Sequence, residues 1–193
     1  MRTVMPTLDV CRAWARQSQP TARNRRGTVY YDGLTIYSYG AHYPIARIWP
    51  KDILLVNSGR RSVTTARHRG WVIHAFRSER PQWCMWVVPC PWATYAQEHK
   101  ENFSYLQQET LDTIVAVPEA HIENRGRRLD WAVDCWKSAH EYHTRFLSGP
   151  LPLAFTAQLP ILQELAFRYS QTLPDYLTIT NQEGICNSSR SHS

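Results

Sequence analysis

Two histidines, His42 and His68, and a tyrosine, Tyr39, stand in a stretch of 36 residues that also holds five arginines: TIYSYGAHYPIARIWPKDILLVNSGRRSVTTARHRG, residues 35–70. Imidazole titrates near neutral pH, so a His42/His68 pair beside a phenol could act as acid and base on an RNA 2′-hydroxyl or a nucleotide. The same stretch offers a second chemistry. Asn57 and Ser58 end an apolar run, and Ser62, Thr64 and Thr65 follow closely. A helix over 65–77 would present free N–H groups and a positive dipole end at Thr64 and Thr65. Arg60, Arg61, Arg67 and Arg69 would surround that end, and the guanidinium fork fits two phosphate oxygens at once. Arg60, Arg61, Thr64, Thr65, Arg67 and Arg69, with Asn57, therefore read as a phosphate site. The architectural account of the same residues is simpler. Tyrosines pair across strands, Asn57-Ser58-Gly59 is turn chemistry, and Thr64 or Thr65 caps the helix.

Other clusters carry less. His140 and His143 share a helix face with Cys135 nearby, a spacing that metal sites use. They fall on the apolar stripe of Trp136 and Leu147, which marks them as packed histidines. His99 with Asn102 and His121 with Glu123 are weaker cases of the same kind. The five cysteines, Cys11, Cys84, Cys90, Cys135 and Cys186, are scattered and contain no CxxC pair. They read as reduced thiols, and neither a metal nor a cofactor is expected. The chain has no Walker A loop, no GxGxxG, no HExxH and no GxSxG, which argues against the enzymes built on those motifs.

The elements that must position these residues alternate in character. Residues 1–26 read as a basic N-terminal arm, with a short helix in LDVCRAWARQ and a flexible, solvated TARNRRG. GTVYYDGLTIYSYG has β-branched and aromatic runs on both sides of Asp32-Gly33, a hairpin signal. HYPIARIW and DILLVN continue as strands, Pro44 marking an edge or a bulge. The segment ARHRGWVIHAFRSER fits a helix from near Thr65, although Gly70 and WVIHAF also fit a strand. QWCMWVVP is a further strand-like run. Helical spacing then governs 94–117 and 129–147, Ser148-Gly149-Pro150 stops the second, and a last helix is expected after Pro160. Strands first and helices afterwards predict an α+β fold. It would comprise a small antiparallel sheet region at 27–92 with one helix, an acidic helical region at 93–177 packed on it, and a flexible tail at 178–193.

Charge points to the partner. The net charge is +6, but residues 1–80 carry 14 Lys/Arg against 4 Asp/Glu, and 81–193 carry 8 against 12. Thirteen of those fourteen cations are arginine. Trp49, Trp71, Trp83, Trp86 and Trp92 lie in or near the basic part, and arginines interleaved with aromatics suit single-stranded nucleic acid. A nucleic acid, RNA or DNA, is the expected partner, with a host protein as the other one considered. No apolar run reaches membrane-spanning length, and the first residues lack the apolar core of a secretory signal, so a cytoplasmic protein is expected.

YSYGAHYPIA followed by LLVNSGRRSVTTARHRG resembles an uncharacterised family of bacteriophage and plasmid proteins, a domain of unknown function. Its pattern here comprises Tyr37, Ser38, Tyr39, Gly40, His42, Tyr43, Pro44 and Ala46, then Asn57, Ser62, Thr64, Thr65 and His68. The resemblance covers 35–70 and implies a phage or mobile-element setting, with no mechanism attached. The sequence thus leads to a nucleic-acid-binding accessory protein of such origin. The alternatives are a metal-independent nuclease or nucleotide-modifying enzyme using His42 and His68, and a host-factor inhibitor acting by protein–protein contact.

Overall fold

The computed structural model describes residues 3–59, 62–80 and 83–169. The chain forms two compact units, Met1–Tyr105 and Leu106–Ser193, with the division falling inside one long helix. No helix among the described residues is long and apolar enough to cross a membrane.

The first unit is built on a seven-stranded sheet. Its strands are β1 (Val4–Met5), β2 (Thr21–Asn24), β3 (Val29–Asp32), β4 (Thr35–Ser38), β5 (Pro44–Trp49), β6 (Ile53–Asn57) and β7 (Cys84–Val88). They lie side by side in chain order. The expected antiparallel sheet is present as the β2–β6 meander, but the whole sheet is mixed. The outer pairs, β1/β2 and β6/β7, are parallel. Parallel neighbours need a crossover, and helices α1 (Thr7–Arg16) and α2 (Val63–Glu79) supply the two. Both crossovers advance in the same direction along the sheet between strands that point the same way. Right-handed connections therefore bring both helices to one face. They pack there: the Trp14 and Phe76 rings are 6.1 Å apart, Arg16 pairs with Glu79 at 2.6 Å, and Arg80 donates to the Ala15 carbonyl at 2.9 Å.

The residues expected to form an approach arm are thus part of the sheet. Val10, Cys11, Trp14 and Ala15 of α1 share a core with Tyr31, Ile36, Leu54, Val56 and Phe76. The β3–β4 hairpin turns at Gly33-Leu34, and Gly33 adopts φ +51, a conformation in which a side chain is strained. Strand β6 is buried at all five positions because it lies between β5 and β7 with both its faces covered.

Helix α2 resolves the helix-or-strand ambiguity of 65–77. Ser62, two to three residues before the expected caps, is its N-cap and accepts from the Thr65 N–H at 3.1 Å. The β-branched run WVIHAF is helical because Val72, Ala75 and Phe76 recur at helical spacing on the buried side. Gly70 is exposed, and a Cβ there would meet nothing within 4 Å. Gly70→Ala is therefore expected to stabilise the protein by about 0.5–1 kcal/mol, read as a rise in urea midpoint at constant slope. A lower midpoint would show that the open space is not there.

The opposite face of the sheet is reached by the segment after β7. Arg47 donates to the Trp92 carbonyl at 3.2 Å, and the Trp49 ring meets His99 at 5.5 Å. Asn102, fully buried, clasps the Cys90 backbone by accepting from its N–H at 2.9 Å and donating to its carbonyl at 2.8 Å.

The second unit is helical. It holds the end of α3 (Ala96–Glu119), then α4 (Ile122–Phe146), α5 (Leu153–Thr156) and α6 (Gln158–Arg168). Leu129, Ala132, Val133, Trp136, Ala139, Tyr142 and His143 form the buried stripe of α4. Trp136 stacks on Phe155 at 5.2 Å and on His140 at 5.3 Å. Helix α4 starts seven residues before the expected 129, through polar IENRGRR. Helix α6 starts before Pro160 rather than after it, because a proline in the first turn removes only an N–H that has no helical partner.

Candidate nucleic-acid interface

Four parts of the first unit converge on a cleft of about 550 Å³: the start of α1, the β2–β3 turn, the end of β4 and the first turns of α2. From α2 it takes Thr64, Arg67, His68 and Trp71, which share a helix face at spacings of three and four. From just after β4 it takes Tyr39, and from the β2–β3 turn Arg25 and Arg26. No Asp or Glu among the described residues lines it.

The β2–β3 turn is held from inside. Asn24 is buried and donates to the hydroxyls of Thr7 and Thr28 at 3.0 and 2.9 Å. Its side-chain oxygen accepts from the Thr28 N–H at 2.8 Å, and its backbone carbonyl from the Gly27 N–H at 3.0 Å. Gly27 takes φ +66. An Asx-type turn of this kind fixes the backbone of Arg25 and Arg26 and leaves both side chains exposed. Residues read from the sequence as a solvated linker are therefore preorganised at the cleft.

His68 is buried, and its Nδ1 lies 2.8 Å from the Ser38 hydroxyl. Its ring is flanked by Tyr39 at 5.6 Å and Trp71 at 5.7 Å. Burial, and secondarily the adjacent Arg67, holds its pKa below the ordinary 6.5. The imidazole is thus neutral at pH 7. Tyr39 sits at φ +62, an uncommon backbone for a bulky residue, and its N–H donates to the Thr28 carbonyl at 2.9 Å. The Arg67 guanidinium lies 5.2 Å from the centre of the Trp71 ring.

The expected residues divide between two places. Tyr39, Thr64, Arg67 and His68 meet at the cleft. Thr65 and Arg69 lie on the other side of α2, in a groove of about 380 Å³ with Tyr43, Gly59 and Ser62. Thr65 is buried, its hydroxyl 3.0 Å from that of Ser62, and Arg69 donates to the Asn57 carbonyl at 3.2 Å. The Asn57 amide serves the strand end, donating to the Pro44 carbonyl at 2.9 Å and accepting from the Gly59 N–H at 2.8 Å. His42 is exposed in the β4–β5 turn, its ring folded close over Gly40, and it does not line the cleft. Arg60 and Arg61 lie outside the described residues. Sequence reasoning missed Ser38 as the partner of His68. An asparagine three residues before a glycine, NRRG, was the available signal for Arg25 and Arg26.

Chemically, the cleft offers cations, hydroxyls and ring faces. Ser38 is 1% exposed, so its oxygen fixes the His68 ring rather than facing a substrate. No carboxylate hydrogen-bonds to His68 among the described residues. Nor does any group of three or more His, Cys, Asp or Glu there stand close enough to hold a metal ion.

Acid sensitivity follows from this burial. His99 and His143, like His68, have depressed pKa values, mainly through desolvation. A depressed folded pKa means that the unfolded chain takes up protons first as pH falls through 6.5. The stabilisation is complete above that value and is lost progressively below it, towards the folded pKa values. Unfolding by urea should therefore show a lower midpoint at about pH 5.5 than at about pH 7.5. Equal midpoints would contradict the neutral buried histidines.

No family model, curated protein sequence or solved structure matches this chain.

Proposed function

We propose that this protein binds the phosphate backbone of a nucleic acid through the cleft between α1, the β2–β3 turn and α2. One observation carries the reading: Arg25, Arg26 and Arg67 line a single cleft that no acidic residue among the described residues lines. Arginines so placed gain most from a polyanion, since each phosphate neutralised releases condensed counterions. Thr64 adds a hydroxyl donor, and neutral His68 supplies either a donor or an acceptor at Nε2. Tyr39 and Trp71 supply ring faces on which a sugar or base can rest. The volume falls within the range of small-molecule and nucleotide sites.

The test is fluorescence anisotropy with labelled single-stranded RNA, single-stranded DNA and duplex DNA at about 50 mM and about 200 mM salt. Affinity should fall steeply with salt while the probe stays intact on a denaturing gel. Absence of binding at the lower salt would sink the reading, and a shortened probe would replace it with catalysis centred on His68.

A further inference from the structure

The face of the sheet opposite α1 and α2 carries a row that the folding of the unit does not use up. Arg23 on β2, Tyr30 on β3 and Tyr37 on β4 are direct cross-strand neighbours. The tyrosine rings are stacked, with centroids 5.0 Å apart and planes 15° from parallel. Arg23 is exposed, and both tyrosines keep part of their surface in solvent. Their hydroxyls have no hydrogen-bond partner among the described residues. Tyr31 and Tyr43 behave otherwise: each donates its hydroxyl to a backbone carbonyl, of Gln19 at 3.2 Å and of Gly59 at 2.7 Å. A buried tyrosine here finds a partner; this half-buried pair has none among the described residues.

The row adjoins the cleft. Tyr30↔Tyr37 is the register pair next to Val29↔Ser38, and Thr28 and Tyr39, one residue beyond, line the cleft. At about 3.4 Å per residue, platform and cleft share one end of the sheet. The Arg23 guanidinium reaches back towards Gly27 of the same turn that presents Arg25 and Arg26. Cations thus run from one face, around the turn, to the other. The acid on this face of the hairpin, Asp32, is two residues from Tyr30 along β3, where it pairs with Thr35, and its charge acts on the Tyr30 phenol.

We infer that Tyr30 and Tyr37 form a base-stacking platform, with Arg23 bridging it to the arginine cleft, and that the ligand is a single-stranded nucleic acid. This rests on the cleft reading above and adds the ligand class. A duplex hides the faces of its bases, whereas a single strand offers them to aromatic side chains while its phosphates follow the cations. Cross-strand tyrosines also stabilise a hairpin, but that role needs no adjoining arginine.

The experiment compares, by anisotropy, an oligothymidylate of about 12 nucleotides with an abasic sugar–phosphate strand of equal length, within the site sizes such proteins use. The wild type should bind the base-bearing strand at least about tenfold more tightly. The double variant Tyr30→Leu/Tyr37→Leu should lose most of this preference for the base-bearing strand, and an unchanged preference overturns the platform. Equal wild-type affinity for the two strands overturns the platform and leaves the cleft reading standing. Failure to bind either strand overturns both. Should the double variant melt early, photo-crosslinking of an iodouracil-substituted strand to the wild type decides. Adducts on Tyr30 or Tyr37 support the platform, and adducts confined to Tyr39 or Trp71 overturn it.

Discussion

Reversing charge at Arg25 and Arg67 together, by Arg25→Glu/Arg67→Glu, is expected to weaken nucleic-acid binding by about 100-fold or more near physiological salt. Both arginines line the same cleft, with no acid beside them among its described lining residues, so two carboxylates there would repel the phosphates that the wild type neutralises. The neutral pair Arg25→Ala/Arg67→Ala should lose less affinity, and its salt slope should fall by about two, one for each lost phosphate contact. Folding should survive, since both side chains are exposed. Some cost is expected from losing the Arg67–Trp71 contact, about 0.5–1 kcal/mol. Arg77→Glu is the control. Arg77 lies near the other end of α2, over Trp83 and away from the cleft, and its reversal should change affinity only through net charge. Anisotropy titrations at two salt concentrations make the comparison. Equal losses in the control and the cleft variants would show that the protein attracts polyanions without a site.

How much of this site was legible follows from the geometry of α2. That Thr64, Arg67 and His68 would stand together was readable because a positive, hydroxyl-rich helix start is a local property. Their separation from Thr65, Arg69 and Asn57 was not, because it depends on where one helical turn begins. With Ser62 as the cap, positions 64, 67, 68 and 71 fall on one face and 62, 65, 66 and 69 on another. The fold shows the same division. Strands β3 to β7 carry β-branched or apolar runs, so periodicity finds them. β2 reads TARN, with only Ala22 and Asn24 turned inward, and β1 has two residues. Neither announces itself, since both are strands because their neighbours complete their hydrogen bonds. The parallel edges were invisible for that reason, and with them the role of α1 as a crossover. Helix α4 begins early because IENRGRR continues a helix already secured by the buried stripe from Leu129 onwards.

Trp14→Ala is expected to have the largest effect on stability, about 3–5 kcal/mol. Such a loss takes a large part of the margin by which a domain of this size is folded. Trp14 is fully buried between the sheet and α2, packs on Phe76, and donates from its indole to the Leu34 carbonyl at 3.1 Å. That carbonyl also accepts from the Ile48 N–H at 3.0 Å, so truncation does not strand it. The cost is therefore the cavity and the lost apolar burial, and Trp14→Phe should recover much of it. Trp131→Ala, at a site 55% exposed on α4, should stay within about 0.5 kcal/mol of the wild type. Urea unfolding at constant slope reads all three. A silent Trp14→Ala would mean that the first residues are an arm after all. A severe one ties the cleft to the core, because Pro6 and Thr7 at the start of α1 form one of its walls and Thr7 holds Asn24 beneath Arg25. Affinity for nucleic acid should then fall together with stability, although Trp14 itself touches no part of the cleft, and the neutral variants of Arg25 and Arg67 should lose affinity alone.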